Sequence, residues 1–394
     1  MRIRSTAALA AIGLASLGAL GSGCGGSGGG SASLTRTDSA GVAIVRNVDA
    51  DRPLAWTLKP LFTVGGAESG PESFFRVAGL GADSAGDLYV LDEGNKRVVV
   101  FGPKGDLVRT EGEAGQGPGE LSMPFSITVR PDGTVRVYDE RFQGFVGYAP
   151  SGEPLPSRHL SIFAWGAPMA TPRGFVGVFQ DVTRRDSVVR RLLDVAGSDT
   201  TELARLSLGQ TSGATFESCG IGLRMSPVFS PRIRWAGRGD EVVATNGVDY
   251  VVNRFRGDSL VASYRRDLRP RPASDALARR ELGDGLHIGV GGGSPRVCKA
   301  DEVVRKVGVA SFVPVIAGLA LVPDGSVRIE RKAVGRDAHG PIDVLSARGE
   351  YLGTLPAGTP LPGAFLPGRR VAAVAKDSLG VERVTEYRIE RSAS

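Results

Sequence analysis

The 394-residue chain is short of the residues that most often carry chemistry: it has three His, three Cys and only 6% aromatic side chains. His159, His287 and His339 stand at no spacing that pairs one with another His or Cys as metal ligands, and two cysteines beyond the first are too few for a zinc site. Ser226 and Ser230 lie in no Gly-x-Ser-x-Gly context, so no strand-to-helix turn exposes a serine nucleophile. The glycine-rich stretch from Gly112 to Gly119 lacks the Gly-Lys-Ser/Thr ending of a phosphate loop. A long apolar run is missing too. The uncharged stretch Ala7 to Leu20 is interrupted by Gly13 and Gly18 and is shorter than the roughly 18–20 residues of a membrane-spanning helix.

What that stretch does have is the order of an export signal. Arg2 and Arg4 precede the apolar run, and the small residues Gly21-Ser22-Gly23 follow it and end at Cys24. A cysteine in that place resembles the lipobox of bacterial lipoproteins, although Gly21 stands where a leucine is usual. The resemblance implies a signal peptide over 1–23 and a lipid on Cys24, with cleavage to a soluble periplasmic protein as the alternative. Gly25 to Ser33 is almost pure Gly and Ser, a composition that buries no apolar surface and behaves as flexible coil. A tether is therefore expected over 24–48, followed by one folded domain over 49–394.

Net charge is +6, from 48 Lys and Arg against 42 Asp and Glu, and the chain is 41% hydrophobic, enough for a sizeable core. Basic clusters such as Arg184-Arg185 and Arg190-Arg191 are interleaved with acids and read as a solvated face. No nucleic-acid partner is expected of an exported chain. Outside the cytoplasm Cys219 and Cys298 read as a disulfide, with free buried thiols as the alternative.

An internal repeat sets the fold. Gly86 recurs as Gly133, Val90 as Val137, Asp92-Glu93 as Asp139-Glu140, Pro103 as Pro150 and Gly105 as Gly152, each pair 47 residues apart. Each unit strings short β-rich runs between Gly, Asp and Pro turns: Gly86 to Asp92, Lys96 to Phe101, then a turn at Pro103 to Gly105. Fainter copies follow near Gly174, Gly239, Gly325 and Arg370. A period in the forties with about four strands per unit is the pattern of a propeller blade, and a lone blade cannot bury both faces of its sheet. The expected fold is all-β: a six-bladed β-propeller of four-stranded antiparallel blades. Ala55–Lys59 and Leu61–Val64 are placed to complete the last blade and remove its exposed edge.

At these residues the chain resembles the NHL-like six-bladed β-propeller lipoproteins of Gram-negative bacteria. The Tyr89 to Asp92 and Asn95 to Val98 runs look like the core of such a unit, and Gly115 to Leu121 looks like its interblade segment. The resemblance implies a cell-envelope protein and no particular activity.

The blade rhythm breaks over about 269–312. Ser274 can cap a helix from Asp275 to Leu282, and Asp301 can cap a second from Glu302 to Val307, stopped by Gly308. Insertions in repeat rings collect on one face, often the binding face, which makes His287 and Arg296 candidate ligand contacts. Asp92 and Asp139 are candidates near the channel, though their recurrence favours carboxylates that cap turns. No catalytic residue, cofactor or metal ligand is assigned. The expected protein is a monomer, lipid-anchored in the outer membrane and facing the periplasm, that binds a protein, peptide or saccharide. The alternative is a periplasmic channel-site enzyme, lactonase-like or lyase-like, using a divalent cation.

Overall fold

The computed structural model describes residues 3–5, 34–66, 69–160, 164–184, 187–208, 212–288, 296–336, 338–376 and 380–391. Cys24 and the glycine-serine tract lie outside these. Six four-stranded antiparallel blades follow one another around a ring. They span 77–111, 124–159, 165–208, 234–266 and 316–355, and the sixth is built from 364–391 plus Trp56–Val64.

The ring forms because the middle strands are apolar on both faces. In Leu88–Asp92 every residue is buried. Leu88 and Val90 pack toward blade six, while Tyr89 and Leu91 pack toward blade two, as the two-residue period of a strand requires. Each of the six junctions between neighbouring blades has an apolar core of its own. No blade is therefore left with an uncovered face.

Closure comes from the expected segment. Trp56–Val64 pairs antiparallel with Glu382–Arg391 as the outermost strand of blade six. It is one continuous strand rather than two. The register slips between Glu386 and Tyr387, and Pro60, which has no amide hydrogen to donate, is accommodated on the open edge.

The turn before the fourth strand explains one repeated glycine. Gly105, Gly152 and Gly349 all have φ near the left-handed region, at 83°, 90° and 84°. At Gly349 a Cβ atom would also meet the Tyr264 ring of blade four at 2.2 Å.

Two expectations are corrected. Residues 34–47, expected within the tether, are folded onto the ring. Leu34–Ser39 and Val42–Asn47 form a hairpin, and its second strand runs parallel to Ser259–Arg266 on the outer edge of blade four. The continuous apolar run Val42–Val45 drives this: Val45 is buried in the core between blades four and five, with Ala43 packed against it. Asn47 then accepts from the Tyr351 amide at 2.8 Å and donates to the Gly349 carbonyl at 2.9 Å. The second correction concerns Asp301. The helix α2 runs Ala300–Val307, is preceded by Lys299 with no side-chain cap, and carries Asp301 inside its first turn. The Asp301 carboxylate instead accepts from Arg279 Nε at 2.5 Å.

Candidate functional site

Between blades three and four the chain leaves the ring as a hairpin, Ser212–Phe216 with Ile221–Met225. Between blades four and five it leaves again as α1 (Asp275–Leu282), the hairpin Gly285–Ile288 with Arg296–Lys299, and α2. The two excursions pack into one small unit, a cap. Ser274 accepts from the Leu277 amide and starts α1, and Gly283 ends it. The cap has its own core: Phe216, Cys298, Val303 and Val307 cluster against Leu286 and Leu282, and Phe229, Ala278 and Val304 form a second group beside them.

Polar and covalent links fix the two excursions to each other. Cys219 and Cys298 are joined by a disulfide. One helical turn away, the buried Glu302 accepts from the Glu217 amide at 2.7 Å and the Ser218 amide at 3.0 Å, and from the Ser218 hydroxyl. Lys306 lies 3.1 Å from the same carboxylate. These donors, the Ser218 hydroxyl first, hold the Glu302 pKa down at about 2.

Under the cap lies a cleft of about 960 Å³ over blades three, four and five. This is the size of a site that takes a small organic ligand. The cap side is largely apolar, with Met225, Val228, Phe229, Leu282, Leu286 and Val303. The ring side is polar and basic: Gln180 and Arg190 come from blade three, Arg234 from the first strand of blade four, and Glu330 and Lys332 from blade five. Arg232 stands on the link that enters blade four.

The lining holds the cations Arg190, Arg224, Arg232, Arg234, Lys332 and Arg336 against two carboxylates, Glu281 and Glu330. Both carboxylates are engaged. Glu281 accepts from Lys332 at 2.5 Å and the Gly335 amide at 3.0 Å, while Glu330 lies 3.0 Å from His339 Nδ1. Burial, and then the positive charge of Arg232, push the Arg190 guanidinium below its usual range. The same two causes act in the same order on Arg234, with Glu330 opposing them.

The expected contacts divide. His287 lines the cleft, with Nε2 3.0 Å from Asp284 Oδ2. Arg296 sits on the neighbouring strand and donates to the Cys219 carbonyl at 3.3 Å, away from the lining. Asp92 and Asp139 are buried and spent on local structure. Asp92 accepts from the Phe75 amide at 3.1 Å, Asn95 Nδ2 at 2.7 Å and Arg97 Nε at 3.1 Å. Asp139 accepts from the amides of Ser122 at 2.7 Å, Met123 at 2.9 Å and Phe142 at 3.0 Å. Each carboxylate ties the segment entering its blade to the turn that follows its second strand, and Asp139 also lines a second cleft of about 670 Å³ with Gln116, Arg141 and His159. His159 stacks on Phe142 with ring centroids 3.9 Å apart. Among the described residues no group of three His, Cys, Asp or Glu side chains is arranged to hold a metal ion.

Residues 190, 234 and 332 were not marked as a set in the sequence. The available signal was weak: Pro231-Arg-Ile-Arg234 places two arginines on one side of a chain entering a strand, with the apolar Ile233 buried between them.

The fold and the cleft together define a six-bladed β-propeller whose ligand-sized site is roofed by a disulfide-linked cap. No family model matches the chain, and no curated protein matches it. Among solved structures it is similar to a protein described as exported from Bacteroides fragilis, at 12% identity over 89% of this chain and 100% of that one, with a TM-score of 0.48. It is also similar to a DUF4221-family member from Bacteroides vulgatus, at 9% identity over 86% and 100%, TM-score 0.45. A gluconolactonase from Xanthomonas campestris is similar at 10% identity over 90% and 99%, TM-score 0.39. Likeness of this degree says nothing about activity. No helix among the described residues is long and apolar enough to cross a membrane.

Proposed function

We propose that this protein is an exported, lipid-anchored binding module that takes its ligand in the cleft beneath the cap. The observation that carries the reading is the cap itself. Two excursions, separated by the whole of blade four, are bonded at Cys219 and Cys298 and roof a ligand-sized space over three blades. A rigid ring presenting variable excursions on one face is the usual division of labour between scaffold and site. The anchor rests on Arg2, Arg4, the apolar run and Cys24.

Two measurements test the two halves. Cys24→Ala is expected to move the protein from the membrane fraction to the soluble fraction of the envelope, and unchanged membrane retention would remove the anchor from the reading. Cross-linking in cells, comparing the native protein with a variant whose residues 270–310 are shortened, is expected to lose its partner or ligand with the cap. Equal capture by both proteins would place binding elsewhere on the ring.

A further inference from the structure

The lining of the cleft is unequal in charge and in character, and that asymmetry selects a ligand. The side chains of Arg232 and Arg234 form no hydrogen bond or ion pair among the described residues, and the charge of Arg232 acts on both Arg190 and Arg234. Glu330 offsets part of the charge on Arg234, but neither carboxylate of the lining pairs with Arg232 or Arg234, because Glu281 and Glu330 are engaged by Lys332, His339 and backbone amides. Arg190 and Arg234 are half-buried with the exposed Arg232 beside them, and like charges partly removed from water are unfavourable unless an opposite charge joins them. Ordinary surface arginines avoid this cost by turning into solvent. Arg234 is half-buried at the start of the innermost strand of blade four, where its backbone is paired with Thr245, so it has little freedom to leave. Guanidinium groups are planar forks that match the two oxygens of a carboxylate or phosphate. Facing them, the cap supplies the apolar side chains of Phe229, Leu282 and Leu286.

Building on the reading that the cleft is the binding site, we propose that it holds an organic oxyanion. Its carboxylate or phosphate head meets Arg190, Arg232 and Arg234, and its apolar body lies against the cap. A small amphiphilic anion thus replaces the protein, peptide or saccharide expected from the sequence. The cleft volume of about 960 Å³ accommodates a chain of ten or so carbons with its head group.

The test uses the purified protein carrying Cys24→Ala, so that no detergent competes for the apolar wall, and calorimetric titration with four probes: decyl phosphate, decanoate, decanol and inorganic phosphate. Decyl phosphate and decanoate are expected to bind, decanol at least tenfold more weakly, and inorganic phosphate more weakly still. Arg232→Gln/Arg234→Gln, checked for an unchanged melting temperature, is expected to raise the Kd of both anions at least tenfold and leave decanol unaffected. Equal binding of decanol and decanoate, or anion binding that survives the double substitution, overturns the oxyanion site. Inorganic phosphate binding as tightly as decyl phosphate overturns the apolar half. No binding of any probe at millimolar concentration overturns the proposal while the cap-dependent capture experiment still stands on its own. Loss of that capture experiment, with anion binding intact, overturns instead the reading of the cleft as the physiological site.

Discussion

Replacing Arg266 by Met removes the donor of an ion pair buried between blades four and five. The Arg266 side chain is 1% exposed and the Asp343 side chain fully buried, and Nη1 lies 2.8 Å from Oδ2. The guanidinium also stacks 3.8 Å from the centre of the Tyr351 ring and donates to the Asp49 carbonyl at 2.9 Å. Breaking a buried pair by deleting one partner costs about 3–5 kcal/mol, chiefly because the other charge is stranded. Here the stranded carboxylate keeps some help. Tyr250 and Thr354 hydroxyls donate to it at 2.8 Å and 2.6 Å, and Arg331 Nε stands 3.6 Å away. Met also refills most of the aliphatic volume, which places the expected loss at the low end, about 3 kcal/mol. Equilibrium unfolding in urea, followed by intrinsic fluorescence, reads it directly. The double variant Arg266→Met/Asp343→Leu removes both charges and is expected to recover most of that loss. A single variant within 0.5 kcal/mol of the native protein, or a double variant no more stable than the single one, refutes the stranded-charge reasoning.

Other outcomes follow from the cap and the turns. Reducing the disulfide, or Cys298→Ser, is expected to speed hydrogen exchange in α2 and leave the blades unchanged; at a separation of 79 residues the cross-link is worth at most about 4.5 kcal/mol in chain entropy. Blades that lose protection together with α2 would show that the cap is part of the ring's cooperative unit. Glu302 has a folded pKa of about 2, below its unfolded value of 4.5, so its contribution is fully present above pH 4.5 and is lost as pH falls toward 2. Exchange in α2 should therefore rise over that window, and Glu302→Gln should flatten the dependence; an unchanged acid response in the variant would assign it to another carboxylate. Gly349→Ala puts a Cβ at positive φ and against Tyr264, and is expected to cost more than the roughly 1 kcal/mol of an ordinary Gly position. A melting temperature equal to that of the native protein would contradict the close approach.

The parts of the molecule that repeat were legible in the sequence, and the parts that converge were not. Val90 and Val137 announce equivalent strands because each blade must solve the same burial problem with a two-residue period. The α1 helix was legible for a local reason too, since Ser274 and Gly283 mark its ends within a single turn each. The hairpin Leu34–Asn47 was missed although Ala40-Gly41, both with positive φ, is a tight-turn signal. The adjoining glycine-serine tract suggested an unstructured tether, and the domain boundary was drawn too far along the chain. Asp92 and Asp139 recur for a structural reason, the amides each must satisfy, so their recurrence is a sign of architecture. The cleft was invisible locally. Arg190, Arg234 and Lys332 belong to three consecutive blades, and only the stacking of those blades makes them neighbours.

That closure has a bearing on how the protein is made. Thr63 and Thr385 share a hydrogen bond at 2.9 Å across 322 positions of the chain, within the sheet that shuts the ring. A polypeptide synthesised from its N-terminus makes Trp56–Val64 early and must wait for Glu382–Arg391 before that strand finds its partner. Throughout the wait the apolar positions that line the last junction, Val64 and Val384 among them, stand unmated and inviting to any other strand. The same long-range pairing that closes the finished ring therefore makes its unfinished form the one most in need of a chaperone.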